Sequence, residues 1–223
     1  TVVLKQAEGG AREIIAGQQR LATLSIVALA IIAAIERLAD DGRDADDNRQ
    51  RARLLRDRLI SSRHPASLSE ESRLRLNKHD DGFFRAYLVQ LERPSNPGRL
   101  RGSEARLWGA FEYFSKQIAE SMASSLDGAA LAAFLTDQVA EGVQFIVIQV
   151  PDDVSAYTVF ETLNARGLQL TATDLLKNYV FSLVAKVPSD LELMEQRWTQ
   201  LIDAVGMERF PDVAIMSDEI YDQ

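Results

Sequence analysis

The sequence predicts an α+β fold that is rich in helix. Three observations support this class: short β-branched runs at the start, one apolar run near residue 145, and long stretches elsewhere whose apolar residues recur at helical spacing. Apolar residues make up 46% of the 223 and charged residues 26%, as in ordinary globular proteins. Cysteine is absent, which excludes disulfides and thiolate metal sites, and the start lacks the pattern of a signal peptide. We therefore expect a cytoplasmic protein.

Strands are predicted at the start of the chain and near its middle. TVVLK and REIIA are β-branched, and Gly9 and Gly10 between them permit the positive φ angles of a tight turn, so a hairpin is expected. Because the chain opens directly on a strand, earlier sequence is expected to precede it. Farther on, VQFIVIQV (residues 143–150) predicts a strand buried on both faces.

Two helices are predicted after the hairpin. Residues 18–40 are apolar on nearly every side, as in a central buried helix. Their apolar run, residues 21–35, is shorter than the roughly 20 residues that span a bilayer, so no membrane partner is expected. A second helix should run to about residue 60, with Asp46 and Asp47 in its first turn. Its buried stripe should consist of Leu54, Leu55 and Leu59.

Loop, strand, helix and linker are predicted in turn after residue 60. Residues 61–72 are polar, as in a loop, whereas residues 73–77 (RLRLN) alternate like a half-buried strand. Residues 80–92 return to helical spacing. Residues 93–103 (RPSNPGRLRGS) are rich in Pro, Gly and Arg, which predicts either a flexible linker between two packing units or a mobile loop within one.

More helices are predicted beyond this linker. Ser103 can cap a helix that runs to about Met122, with apolar residues at spacings of three and four. Another helix should follow Asp127, and helices should fill the chain after the strand at residues 143–150.

Charge is distributed unevenly along the chain. The net charge is −8, but residues 43–106 hold 15 Lys and Arg against 10 Asp and Glu, whereas residues 136–223 hold 5 against 15. A basic middle beside an acidic end can bind a polyanion on one face only. The second helix supplies the candidate DNA contacts, Arg49, Arg53 and Arg56. A solvated helix face with many arginines is the structural alternative.

The first motif, GQQRLATL, lies at the start of the central helix. Gly17 lets backbone approach a phosphate closely, and the helix start presents unpaired N–H groups and a partial positive charge. Gln18 and Gln19 add donors, and Arg20 can bind phosphate oxygens bidentately. A capped helix without a ligand explains the same residues. Thr23 adds a hydroxyl, for which a back-bonded core threonine is the preferred interpretation.

The second motif, FETLNARGLQLTATDLLKNYVF, predicts a helix, a stop and a second helix. Gly167 can adopt the left-handed conformation that ends a helix, and Thr171 with Asp174 has the spacing of a capping box. This local account leaves four polar residues unexplained, namely Asn164, Arg166, Lys177 and Asn178. Arg166 could equally cap carbonyl groups at its helix end.

Together the two motifs resemble those of the GmrS-like domain of modification-dependent restriction systems and their phage-defence relatives. That family's patterns are D-G-Q-Q-R-L-T-T-L and F-x-T-L-N-x-x-G-x-x-L-x-x-x-D-L-x-K-N. The resemblance covers roughly residues 1–184 and implies a small sheet core similar to ParB and sulfiredoxin, with a large helical insert at about residues 43–135. Residues 185–223 would then form a C-terminal helical extension.

The resemblance also implies a ligand and partners. It implies binding of a nucleoside triphosphate, with or without Mg²⁺, and hydrolysis in several members. The nucleotide-binding residues implied are Gly17, Gln18, Gln19, Arg20, Asn164, Arg166 and Lys177, of which Gln18, Gln19 and Arg20 are the catalytic candidates. Such domains respond to modified DNA and commonly precede an HNH-type nuclease, which would lie beyond Gln223.

One position departs from the family pattern. Where the family has aspartate before the glycine, this chain has Ala16, which can neither bind magnesium nor orient an attacking water. Either hydrolysis has been lost, or the alanine was introduced to trap an inactive form; phosphate binding could survive both. We therefore predict a nucleotide-binding regulatory or sensor domain of a restriction or phage-defence protein, with poor turnover.

The alternative function is a non-catalytic DNA-binding or assembly module that uses the basic helix around residues 49–58. Other chemistry is not predicted. The two histidines, His64 and His79, lie in polar loop contexts and do not form an HNH site, and the acids after Pro151 lack the lysine of a PD-(D/E)xK nuclease. There is also no Walker-type phosphate loop and no predicted metal ligand.

Overall fold

The computed structural model describes residues 1–6, 11–63, 70–121, 127–151, 180 and 188–205. Its elements follow in the order β1 (Val2–Gln6), β2 (Arg12–Ala16), α1 (Gln18–Asp40), α2 (Ala45–Leu55), β3 (Ser61–Arg63), β4 (Glu70–Ser72), α3 (Asp81–Phe83), α4 (Gly102–Ser121), α5 (Gly128–Ala133), β5 (Val147–Val150) and α6 (Pro188–Val205). The chain divides into two compact units, one of residues 1–17 and 145–223 and the other of residues 18–144. Helices with a small mixed sheet confirm the predicted α+β class.

The first unit contains a three-stranded sheet in the order β2, β1, β5. β1 pairs antiparallel with β2, which confirms the two predicted hairpin strands, and parallel with β5. The hairpin turn, residues 7–10, lies outside the described residues. Buried Val3 and Val150 contact each other, and the half-buried Ile15, Ala16 and Ile148 pack against them. The sheet therefore has one small apolar cluster that joins all three strands.

The prediction that residues 143–150 form a strand buried on both faces is wrong. The strand begins only at Val147, and its exposure alternates along the chain. Ile146 and Val147 are 69% and 51% exposed, whereas Val150 is buried. The apolar cluster covers only the face that carries Ile148 and Val150, so the other side chains of β5 remain exposed.

The second unit is built around α1, which is the buried central helix that the sequence predicts. Leu29, Ile31, Ile32 and Ile35 have no exposed surface, and α1 packs against α2, α4 and α5. With 23 residues, α1 is long and apolar enough to cross a membrane by length and composition, but 56% of its apolar window is buried in the protein. The apolar stretch that the sequence analysis measured, residues 21–35, is shorter than the helix itself, so its length does not exclude a membrane span. The absence of a membrane partner stays a prediction.

Three helices of the second unit continue in π-helical conformation, over Arg56–Ile60 after α2, Phe84–Val89 after α3 and Phe134–Ala140 after α5. These segments confirm the helices predicted before residue 60, near residue 81 and after Asp127. In the buried stripe predicted for the second helix, Leu55 is buried and Leu59 packs on the core, but Leu54 is 61% exposed. Because neighbouring residues lie about 100° apart around a helix, Leu54 and Leu55 do not share one face.

The predictions for residues 61–63 and 70–77 are wrong, and residues 64–69 of the predicted loop lie outside the described residues. β3 and β4 form an antiparallel pair in which Ser61 lies opposite Ser72, where a loop was expected. The alternating residues 73–77 form no strand. Instead, the backbone N–H of Leu76 donates to Asp81 Oδ1 at 2.9 Å, which makes this stretch part of the turn before α3.

The predicted linker, residues 93–103, lies inside the second unit rather than between the two units. Pro94 is buried and Leu100 packs against the core on either side of a 3₁₀ turn, Pro97–Arg99. The prediction that Ser103 caps a helix is wrong, because α4 already begins at Gly102. The Ser103 hydroxyl donates to the Asp80 carboxylate instead, so it joins α4 to the turn before α3.

Candidate functional site

The first motif begins where β2 ends. Gly17 follows Ala16 with a φ of 98°, and α1 starts at the next residue. A Cβ atom at this glycine would lie 3.0 Å from Val2 Cγ2 and 3.3 Å from the Thr1 carbonyl oxygen. Both the positive φ and the close approach to β1 therefore require a residue without a side chain.

The next three residues, Gln18, Gln19 and Arg20, are all exposed at the start of α1. The first turn contains no acidic residue that would neutralise the partial positive charge of the helix start. Gln18 and Arg20 already take part in interactions within the protein, which a ligand would share or replace. Thr23 is back-bonded as predicted, since its hydroxyl donates to the Gln19 carbonyl oxygen at 2.8 Å, but it is exposed and not in the core.

Ala16 occupies the position where the family pattern has aspartate. It is half-buried, lies opposite Val3 in the sheet and packs against the Val3 and Val150 cluster. In the part of the chain that the structure describes, no group of three or more His, Asp or Glu side chains could hold a metal ion. The donors at the start of α1 fit a phosphate, whereas a magnesium ion would have to be held largely by the phosphates themselves.

Apart from Val180, the second motif lies outside the described residues. The predicted roles of Asn164, Arg166, Lys177 and Asn178 therefore stay predictions.

The predicted DNA contacts on α2 line a cavity of about 350 Å³ in the second unit. Arg49, Arg53 and Arg56 follow one another at spacings of four and three, which places them along one side of the helix. The lining also contains four carboxylates, those of Glu36, Asp40, Asp57 and Glu70. Three guanidinium groups against four carboxylates give a local net charge of −1, which does not favour a phosphate.

Most arginines of this helix also have partners within the protein. The ion pairs are Arg49 with Asp46 at 3.6 Å, Arg51 with Asp47 at 3.7 Å, Arg56 with Glu36 at 3.5 Å and Arg58 with Glu141 at 3.3 Å. Arg56 also donates to the Val89 carbonyl oxygen, and its side chain is only 19% exposed. Arg53 is exposed and forms no ion pair within the described residues. Among the described residues, Arg53 is therefore exposed and without an ion pair, whereas Arg56 is largely buried and paired, and the DNA contacts stay a prediction.

A further set of cations lies at residues 93–106, which comprise the predicted linker, residues 93–103, and the next three residues of α4. Four arginines and one glutamate occur in this stretch. The local charge was the signal that could have distinguished it from an ordinary Pro- and Gly-rich connection.

The fold and the first motif define a helix-rich α+β domain whose central helix starts after a required glycine and exposes amide and guanidinium donors. The chain belongs to the family described as the GmrSD restriction endonuclease, N-terminal domain, whose model matches residues 1–181. This match confirms the resemblance found in the two motifs and identifies a restriction or phage-defence protein. No curated protein matches the chain.

Proposed function

We propose that this chain is a nucleotide-binding regulatory or sensor domain of a DNA-acting restriction or phage-defence protein. The observation that supports this most directly is the start of α1. Gln18, Gln19 and Arg20 are exposed there, next to position 17, where the backbone leaves no room for a side chain. The family membership supplies the restriction context, since it suggests a protein that acts on DNA.

The chemistry of this helix start suits a triphosphate. The first backbone N–H groups of an α-helix have no partner within the helix, and together with the helix dipole they attract anions. Arg20 can donate two parallel hydrogen bonds to phosphate oxygens, and the two glutamine amides can donate one each. In the proposed complex Asn164, Arg166 and Lys177 of the second motif complete the binding site.

Binding and hydrolysis are separate parts of the proposal. The assigned catalytic groups, Gln18, Gln19 and Arg20, can stabilise phosphate charge but cannot accept a proton from water. Ala16 contributes a methyl group that packs on Val3, where the family pattern has a carboxylate. We therefore propose that nucleotide binds, with Mg²⁺ carried on its phosphates, and that turnover is poor.

The alternative, a DNA-binding or assembly module that uses the α2 arginines, has less support. Four of the five arginines between residues 49 and 58 are ion-paired, and the cavity that three of them line is net negative. Ion pairs at an exposed surface contribute only about 0–1 kcal/mol, so DNA could still recruit Arg49 or Arg53.

Calorimetric titration with ATP and with GTP, each with and without Mg²⁺, tests the binding half. Arg20→Ala should weaken binding by about 10- to 100-fold, because a hydrogen bond to a charged group contributes about 1.5–3 kcal/mol. Arg37→Ala is the matched control, since Arg37 is exposed in the last turn of the same helix and its loss removes the same charge. Equal affinities for the two variants, or no binding by the unchanged chain, would contradict the proposal.

The hydrolysis half is tested by phosphate release from the unchanged chain and from Ala16→Asp. We expect turnover only in the Ala16→Asp variant. Ala16→Asn is the control, because asparagine matches aspartate in size but lacks its negative charge. Rapid hydrolysis by the unchanged chain would show that the carboxylate is not required.

A further inference from the structure

The segment of residues 93–106, called the arginine loop below, carries four exposed cations, and its last five residues form the start of α4. It contains Arg93, Arg99, Arg101 and Arg106 against the single acid Glu104, a net charge of +3 in fourteen residues. All four arginines are exposed, whereas Glu104 is half-buried. None of the four forms an ion pair within the described residues, and Arg101 donates only to the neighbouring Leu100 carbonyl oxygen at 3.2 Å.

The two carboxylates of the turn before α3, those of Asp80 and Asp81, contact other groups. The Ser103 hydroxyl donates to Asp80, and the Asn77 side-chain amide donates to the same carboxylate at 2.6 Å. Asp81 accepts from the Leu76 backbone and lies 3.9 Å from Arg85. Neither Asp80 nor Asp81 forms an ion pair with an arginine of the loop within the described residues.

The backbone that carries these arginines is held by packing and hydrogen bonds. Pro94 is buried, and Leu100 packs against the core. Between them the Arg99 N–H donates to the Asn96 carbonyl oxygen at 3.0 Å, and the Leu100 N–H donates to that of Pro97 at 3.2 Å. Cations on a fixed backbone lose less conformational entropy on binding than cations on a flexible segment.

We propose that the arginine loop contacts the phosphate backbone of double-stranded DNA. Exposed guanidinium groups without internal partners are the groups that contact phosphates and position a protein on a duplex. Of the five arginines at residues 49–58, four are ion-paired within the described residues, and the unpaired Arg53 lines a cavity that is net negative. This surface differs from the start of α1 and does not depend on nucleotide binding.

The composition of the loop favours duplex DNA over other polyanions. Its fourteen residues, all of them described, include no aromatic side chain, and single strands are bound largely by base stacking on aromatic residues. An anionic membrane surface is bound most firmly when apolar side chains insert beside the cations. Leu100 is the only large apolar residue of the loop, and it packs inward.

The test is the salt dependence of binding to a short, mixed-sequence DNA duplex, measured by fluorescence anisotropy with the whole chain. Each lost phosphate contact should lower the slope of log K against log salt by about 0.9. For the variant R99Q/R101Q/R106Q we therefore expect the magnitude of this slope to be smaller by about 3 than for the unchanged chain. Its affinity for nucleotide should not change. An unchanged slope, or no duplex binding by the unchanged chain, overturns the proposal.

Two control variants separate charge at this surface from other effects. R49Q/R53Q/R58Q removes the same three charges from the α2 region and should leave the slope nearly unchanged; an equal loss there overturns the assignment to the loop. R99K/R101K/R106K keeps the charges and should keep the slope; a loss there overturns the charge mechanism. Equal affinity for a single-stranded oligonucleotide, or for phosphatidylserine vesicles, overturns the choice of duplex DNA.

Discussion

Replacement of Gly128 by alanine tests how tightly α5 is packed against α2. A Cβ atom at this position would lie 1.9 Å from Asn48 Oδ1 and 2.6 Å from its Cγ, so the asparagine would have to move. Asn48 is 1% exposed, donates to the Arg43 carbonyl oxygen at 2.8 Å and accepts from Arg51 at 2.6 Å. Its displacement would break both hydrogen bonds in a buried place.

The expected loss in the free energy of unfolding follows from these contacts. A buried polar group left without its partner costs about 1–3 kcal/mol, and overpacking costs a similar amount. Alanine offsets at most about 1 kcal/mol through its higher helix propensity. We therefore expect Gly128→Ala to lose about 2–4 kcal/mol, which lowers the melting temperature by roughly 5–15 °C for a chain of this size.

Circular dichroism melts of four variants, Gly128→Ala, Asn48→Ala, their combination and a control, measure the effect. Gly109→Ala is the matched control, because Gly109 is exposed in the middle of α4 and a Cβ atom there would have no neighbour within 4 Å, so this change should stabilise the chain slightly. Gly128→Ala combined with Asn48→Ala should cost less than the two single changes together, since the clash is then absent. A melting temperature unchanged by Gly128→Ala, or fully additive effects, would refute the steric explanation.

Two other substitutions test the packing around the candidate surfaces. Gly17→Ala should lose about 1–3 kcal/mol in urea unfolding, because a side chain is disfavoured at a φ of 98° and would press on Val2, whereas Gly98→Ala, in open space, should change little. Arg56→Ala should lose about 1.5–3 kcal/mol through its bonds to Val89 and Glu36, whereas the exposed Arg53→Ala should stay within about 0.5 kcal/mol. Equal stabilities within either pair would contradict the assigned contacts.

Long periodic elements were predictable from the sequence, and short ones were not. A long run that is apolar on nearly every side identified α1, and the spacing of apolar residues identified α2 and α4, because a helix of eleven or more residues repeats its pattern several times. β3 and β4 have three residues each and are mostly polar, so no period of two could develop. The alternation in residues 73–77 imitated a strand, but a hydrogen bond from Leu76 to Asp81 fixes it as a turn.

The candidate site was predictable to a similar degree. The glycine and the exposed donors at the start of α1 follow from the first motif, because a required glycine before a helix is a local feature. The pairing of the α2 arginines was not predictable, since Arg56 meets Glu36 and Arg58 meets Glu141 from distant parts of the chain. The same holds for the unpaired state of the arginine loop, which depends on where the neighbouring acids are engaged.

The parallel pairing of β1 with β5 has a consequence for synthesis on the ribosome. Val2 lies opposite Val147, so the first strand emerges long before its parallel neighbour has been translated. Closing a flexible loop of that length costs about 4 kcal/mol in chain entropy. The edge of β1 that pairs with β5 therefore stays unpaired in the nascent chain until the second unit and β5 have been translated.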